Sequence, residues 1–328
     1  METVLVLDVA AAEGGALSIL QEYYDRLRTD TRANFVFCVS LPELEETDHL
    51  RVRRFPWVKR SWLHRLWFEH VTLPRLMKEE GITRVFSLQN TAVTGAKVPQ
   101  TMYLHQPLPF CGIRFKLRDN PLFWVYQHIL APRILRGLRV ADKVIVQTEW
   151  MKTAACEKAG ISPDKVVLEA PTVNVEIKET FDPAKWERTF FYPASPLSYK
   201  NHEVIFKAIE LLAADGVEDF TVQLTLRAEQ LPGLAKYPAA QKRVELLGQI
   251  PREAVMAGYA RAVLLFPSYV ETFGLPLLEA RLTGAPVIAS DCPFSNEILA
   301  GYDKASFFDP FSAEELAARM RAALEGAV

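Results

Sequence analysis

No stretch of the 328 residues approaches the roughly 20 consecutive apolar residues that a membrane-spanning helix needs. The N-terminal METVLVLDVA has no basic flank and no small-residue cleavage site, so its apolar run reads as a buried strand and not as a signal peptide. Cysteines are few. Cys38, Cys111, Cys156 and Cys292 lack the close pairing of zinc sites and redox motifs, which fits a reducing cytoplasm. There is no internal repeat, no low-complexity tract and no nucleic-acid motif, and with a net charge of -2 this counts against nucleic acid as a partner.

What is present is a large apolar fraction, 49% of the chain, enough for two ordinary cores of roughly 150 residues each. The small net charge conceals an asymmetry. Residues 1–171 carry 23 Lys and Arg against 19 Asp and Glu, whereas 172–328 carry 15 against 21, so the halves suit different partners.

Short β-branched and aromatic runs alternate with helix-length segments along the whole chain, the pattern of βα units on parallel sheets. The strands expected in the first half are VLVLDV, NFVFCVS, RVFSL, TMYLH and KVIVQT; in the second they are TFFYPA, FTVQLTL, VELLG, AVLLFPS and PVIAS. Ala16–Leu27, Asn201–Ala213, Pro251–Ala260 and Ala313–Leu324 read as helices. Glu169–Lys185, with Pro171 and Pro183 and little periodicity, reads as a linker. The expectation is an α/β chain of two Rossmann-like domains, 1–171 and 172–328, with parallel sheets facing across a cleft and ligand-binding loops at the carboxyl ends of the strands.

The segment from Glu271 to Glu279 carries the most chemistry. A strand ends at Ser268, Tyr269–Phe273 forms a loop, Gly274 permits close backbone approach, and Pro276 marks a helix start whose free N–H groups suit a phosphate. Glu271 then lies in the loop. Glu279 lies about one turn inside the helix, where a carboxylate can accept two hydrogen bonds from the hydroxyls of a ribose. Either acid alone reads more readily as a solvated helix-start acid. Lys200, just before Asn201 as helix cap, can deliver a point charge to a diphosphate. Gly14 and Gly15 can present amides to a phosphate, although the three-glycine dinucleotide fingerprint is missing. His105 ends TMYLH, ahead of the Pro-rich QPLPF, and stands where ligands bind in an open sheet, a satisfied core histidine being the alternative.

The run PSYVETFGLPLLEARLTGAPVIASD resembles the family 4 glycosyltransferases, which are marked by two glutamates separated by seven residues and a following Gly-x-Pro-Val strand; here these are Glu271, Glu279, Gly284, Pro286 and Val287. The resemblance implies a GT-B fold, retention at the anomeric carbon, and no cofactor or required metal, with a nucleotide-diphosphate sugar as co-substrate. No Asp-x-Asp triplet is present to hold a metal-bound diphosphate. The resemblance further implies that Glu279 binds the ribose, that Glu271 with Phe273, Gly274 and Leu275 contacts the transferred sugar and phosphate, and that Lys200 contacts the diphosphate. It puts Gly14 and Gly15 beside that diphosphate and His105 near the transferred sugar, so catalysis falls to His105, Glu271 and Lys200. The turn bearing Gln249 and Ile250 corresponds to the loop that faces the nucleobase. Where many members carry an arginine this chain has Ala194 and Ser195, so Ser195 enters the donor site without a cation and the second positive charge is expected from Arg227. Chains of this fold usually end in a helix returning to the first domain; after Ala313–Leu324 that element is expected to be short or absent.

Two stretches are basic and aromatic together. His49–Phe68 contains Arg53, Arg54, Lys59, Arg60 and Trp62 and no acid, and Ile113–Val140 has Asp119 alone against six basic residues. Such surfaces suit anionic headgroups and an acceptor held at them. The combined expectation is a hexosyltransferase using a GDP- or UDP-sugar, GDP-mannose among them, and a lipid-linked or oligosaccharide acceptor in cell-surface polysaccharide or lipopolysaccharide synthesis. It would be cytoplasmic and peripheral at the inner membrane face. Another GT-B enzyme, such as a sugar-nucleotide epimerase or a phosphorylase, and a non-catalytic carbohydrate-binding protein are the alternatives.

Overall fold

The computed structural model describes residues 1–12, 14–171 and 177–326, so residues 172–176 of the expected linker lie outside the described residues. The chain divides into two compact units, Met1–Ala170 and Pro171–Val328.

Among the described residues the first unit holds a seven-stranded sheet in the order β3-β2-β1-β4-β5-β6-β7. The strands are β1 (Thr3–Asp8), β2 (Asn34–Val39), β3 (Leu50–Arg54), β4 (Arg84–Ser87), β5 (Gln100–Tyr103), β6 (Lys143–Val146) and β7 (Val166–Leu168), all paired in parallel. Parallel central strands are covered on both faces, which is why β1 is a continuous apolar run. Val4 and Val6 pack with Tyr23, Tyr24 and Phe37 on one face, while Leu5 and Leu7 pack with Val36, Phe68 and Leu73 on the other.

The second unit holds a six-stranded parallel sheet in the order β10-β9-β8-β11-β12-β13, built from β8 (Thr189–Tyr192), β9 (Thr221–Leu224), β10 (Val244–Leu246), β11 (Val263–Phe266), β12 (Val287–Ser290) and β13 (Ala305–Phe308). The ten strands expected from the sequence are present. Three others, β3, β7 and β13, were not read from it, and all three are sheet edges. An edge strand buries little of its surface, so LRVRR and VVL show no long apolar run.

Both sheets reverse direction at one place. From β1 the chain steps outward to β2 and β3, then returns to the far side of β1 as β4; from β8 it steps to β9 and β10, then returns as β11. At such a switch point the loops leaving the two neighbouring strands part to opposite faces and open a crevice at their carboxyl ends. The β1/β4 and β8/β11 loops are therefore where each unit can take a ligand. Among the described residues no helix is long and apolar enough to cross a membrane.

Candidate functional site

In the second unit the two loops at the β8/β11 switch point are stitched together. The Tyr269 amide donates to the Tyr199 carbonyl at 3.1 Å, and the Tyr192 hydroxyl donates to the Lys200 carbonyl at 2.9 Å. Asn201 stands at the start of the helix His202–Ala214 as expected, but its side chain does not cap it. Its backbone is left-handed, with φ 58°, and its amide instead donates to the carbonyls of Pro267, at 3.3 Å, and Pro310, at 2.7 Å. Asparagine tolerates this backbone better than most residues.

The stitching sets Lys200 against Glu271. Their side chains form an ion pair with only 16% and 15% of their surface exposed, and the Ser268 hydroxyl donates to the same carboxylate at 2.7 Å. An ammonium has three donors, so Lys200 has two beyond the one given to Glu271. Directly beyond, Gly274 adopts a left-handed φ of 88° and caps the helix Leu275–Thr283, with Pro276 in its first turn. Phe273 is buried, so of this residue only the backbone can face a ligand.

Glu279 sits inside that helix and is 4% exposed. Both its oxygens already have protein donors: the Tyr259 hydroxyl at 2.8 Å and an Arg252 guanidinium nitrogen at 2.6 Å. Burial pushes its pKa up, opposed by the Tyr259 and Arg252 bonds. Each carboxylate oxygen retains lone-pair capacity for a further hydroxyl. The sequence offered no signal for Arg252 or Tyr259, which arrive from the helix Arg252–Tyr259.

Ser195, Arg227 and Gln249 come together in an open pocket of about 700 Å³ at the ends of β8, β9 and β10, with Thr225 and Gln230. Gly248, at φ 67°, lets the turn pass Arg227, whose Cγ would lie 3.7 Å from any added Cβ. Ile250 is half-buried and outside this lining.

In the first unit Gly14 and Gly15 do not precede the helix but open it, as the first residues of Gly14–Leu27. Helix geometry gives the first-turn amides no partner within the helix. A Cβ added at Gly15 would meet nothing within 4 Å, so the surface there is open. His105 lies two residues past β5. Its Nε2 is 2.9 Å from the Leu88 carbonyl, which can only accept, so this nitrogen carries the proton; Asn90 Nδ2, 3.0 Å away, cannot also donate to it. The Asn90 carboxamide oxygen accepts from the His105 backbone at 2.7 Å. Burial holds the imidazole pKa below its usual range, so the ring is neutral near pH 7 with Nδ1 as an acceptor.

Asp8, which the sequence did not mark, ends β1 almost fully buried. One oxygen accepts the Ala11 amide at 3.0 Å and the other has no partner among the described residues. Burial pushes its pKa up to about 6, against the Ala11 bond and the positive charge of Arg65. A raised carboxyl pKa contributes stability that is present below about pH 4 and lost as pH rises through about 6. The unfolding free energy of Asp8→Asn relative to wild type is therefore expected to improve by up to about 3 kcal/mol between pH 4 and pH 7, measured by urea unfolding. Parallel pH curves for the two proteins would refute this.

Of the expected basic surface, Arg53 and Arg54 lie on β3 and are balanced in place. Arg53 meets Glu80 at 2.7 Å and Glu46 at 3.5 Å, Arg54 meets Glu43 at 2.8 Å, and Arg51 shares Glu80. The acid-free stretch thus acquires acids from elsewhere in the chain. Lys59 bonds the Ala10 carbonyl, Arg60 is exposed at the end of the short turn Pro56–Lys59, and Trp62 is 57% exposed beside exposed Leu63 and Trp67.

The two-unit α/β architecture defines the fold class as GT-B, and comparison with known proteins sharpens the second unit. Residues 175–327 match the sequence model of the family described as "Glycosyl transferases group 1", so the second unit is similar to that family over nearly its whole length. A D-inositol 3-phosphate glycosyltransferase of Corynebacterium diphtheriae is 28% identical over 171 residues, covering 46% of this chain and 40% of that protein. The chain thus spans about two fifths of the length of the curated relatives it matches. Among solved structures, sucrose-phosphate synthase from Thermosynechococcus elongatus aligns over 100% of this chain and 91% of that one, with TM-score 0.74 and 18% identity. Anabaena Alr3699/HepE, solved in complex with UDP-glucose, aligns over the same shares with TM-score 0.68 and 17% identity. These structural likenesses establish the fold.

Proposed function

We propose that the protein is a retaining glycosyltransferase that moves a hexose from a nucleoside diphosphate sugar to a lipid-linked or oligosaccharide acceptor without a metal. The observation that carries this reading is the half-buried Lys200–Glu271 pair with Ser268 at the β8/β11 switch point, directly ahead of the Gly274-capped helix. It combines a cation and the positive end of a helix for the diphosphate with a carboxylate for the sugar. Glu279 takes the ribose, Ser195, Arg227 and Gln249 line the nucleotide's outer reach, and the backbone leading to Ile250 faces the base. A UDP-sugar is favoured over GDP-mannose by the UDP-glucose complex of the fold relative.

In this reading the bond from the anomeric carbon to the phosphate breaks as the acceptor oxygen attacks the same face, and the acceptor proton passes to the departing phosphate oxygen. Lys200 meets the charge that develops on that oxygen. Neutral His105 and the Gly14–Gly15 amides are the first unit's groups for sugar and diphosphate, and that unit takes the acceptor. Lys59, Arg60 and Trp62, with the exposed apolar side chains beside them, hold the protein at an anionic membrane face where lipopolysaccharide or polysaccharide precursors are built.

A thermal-unfolding screen against UDP, GDP, ADP and dTDP tests the donor assignment. A ligand at 100 times its dissociation constant stabilises by about 2.7 kcal/mol, and UDP is expected to do so in EDTA as well as in magnesium. Absence of stabilisation by every nucleotide would sink the reading; transfer with inversion, seen by NMR of the product anomer, would overturn its stereochemistry.

A further inference from the structure

The β1/β4 switch point of the first unit holds its own pocket, of about 420 Å³, which the donor assignment leaves unused. Lys59, Arg65 and Arg133 line it with a single acid, Glu69. Glu69 accepts Arg65 Nε at 2.7 Å and a terminal nitrogen of Arg133, so one carboxylate holds two guanidiniums. The terminal nitrogens of Arg65 and the remaining ones of Arg133 have no acceptor among the described residues. The other nearby acid, Asp8, is not part of the lining. The pocket is therefore a positively charged recess with unspent donors.

Its uncharged lining is equally specific. Gln89 is 8% exposed, and its carboxamide oxygen is buried without a partner among the described residues, while its nitrogen reaches Thr91 only at 3.5 Å. A buried acceptor left unmatched is costly and is normally met by a ligand or water hydroxyl. Trp62 and Tyr126 complete the wall as aromatic faces. A neutral oligosaccharide would match the amides but offer no negative charge to the guanidinium nitrogens that Glu69 leaves unmatched. A phosphate, carrying about -1.5 to -2 and three acceptor oxygens, suits two splayed guanidiniums.

We propose that this pocket binds the phosphate and adjacent hydroxyls of a phosphorylated polyol, which the transferase uses as acceptor. The proposal rests on the transferase reading only for the word acceptor; the binding itself stands apart from it. The same chemistry is offered by a soluble sugar phosphate and by a lipid phosphate headgroup, so the test carries both.

Titration calorimetry on the full chain, with UDP measured separately, uses glucose 6-phosphate, glucose and glucuronate as soluble probes, and phosphatidylinositol 4-phosphate in phosphatidylcholine vesicles as the lipid probe. Glucose 6-phosphate or phosphatidylinositol 4-phosphate is expected to bind, at least about tenfold tighter than glucose or plain vesicles, with affinity falling as salt rises. Arg133→Gln, and independently Arg65→Gln, should weaken that binding about tenfold or more while UDP affinity stays the same. Arg133 is the less buried of the two and guards against a folding artefact. The soluble or the lipid probe responding identifies the source. Glucose or glucuronate binding as tightly as glucose 6-phosphate, or unchanged affinity in both variants, overturns the pocket. Loss of UDP binding alone would count against the transferase reading and leave the pocket standing.

Discussion

Lys200→Met is expected to lower the turnover of sugar transfer by about two to three orders of magnitude, with donor affinity affected far less. The ammonium is held at 16% exposure between Glu271 and the helix start, where water screens it poorly. A charge in that position is worth most when negative charge develops on the leaving phosphate, which occurs in the transition state and not in the bound donor. Methionine keeps the stem and removes the charge, leaving Glu271 with the Ser268 bond. Because Lys200 and Glu271 share one ion pair, Lys200→Met/Glu271→Gln should lose little more than the worse single variant. Turnover within about threefold of wild type for Lys200→Met would remove this residue from the chemistry.

Glu279→Ala is expected to have two separable effects. It strips the acceptor from the Tyr259 hydroxyl, whose residue is fully buried, and from Arg252, so stability should fall by about 1–3 kcal/mol in urea unfolding. It also removes the proposed ribose contact, and a structural role alone would not predict that. Wild type should prefer UDP to 2′,3′-dideoxy-UDP by at least about tenfold, the worth of a hydrogen bond to a charged group, and the variant should bind both alike. If the preference survives in Glu279→Ala, the carboxylate serves the fold and not the nucleotide. Tyr259→Phe supplies the control, since it loosens Glu279 without removing it.

Much of the site was legible because its signals are local. Gly274 and Pro276 mark a helix start within a few residues, and that start decides that Glu271 lies in a loop and Glu279 within a helix. Asn201 shows where local reading stops. Its type and place predicted a side-chain cap, but sheet geometry brings the carbonyls of Pro267 and Pro310 within reach and the amide goes there. The basic stretch around Arg53 and Arg54 misleads for the same reason: it has no acid in sequence, yet Glu43, Glu46 and Glu80 neutralise it in space.

The sequence by itself determined the two α/β units, the ten strands with continuous apolar runs, and the Glu271-to-Glu279 loop and helix, since periodicity, turn chemistry and helix-start residues act over a few positions. Only the tertiary structure decided which strands stand at the edges, that Lys200 meets Glu271 across 71 residues of chain, that Arg252 and Tyr259 hold Glu279, and that Arg65, Arg133 and Gln89 share one recess. Those pairings follow from strand order and from which loops part at a switch point. Strand order is settled by packing two faces of a sheet at once, and no short stretch of the chain encodes it.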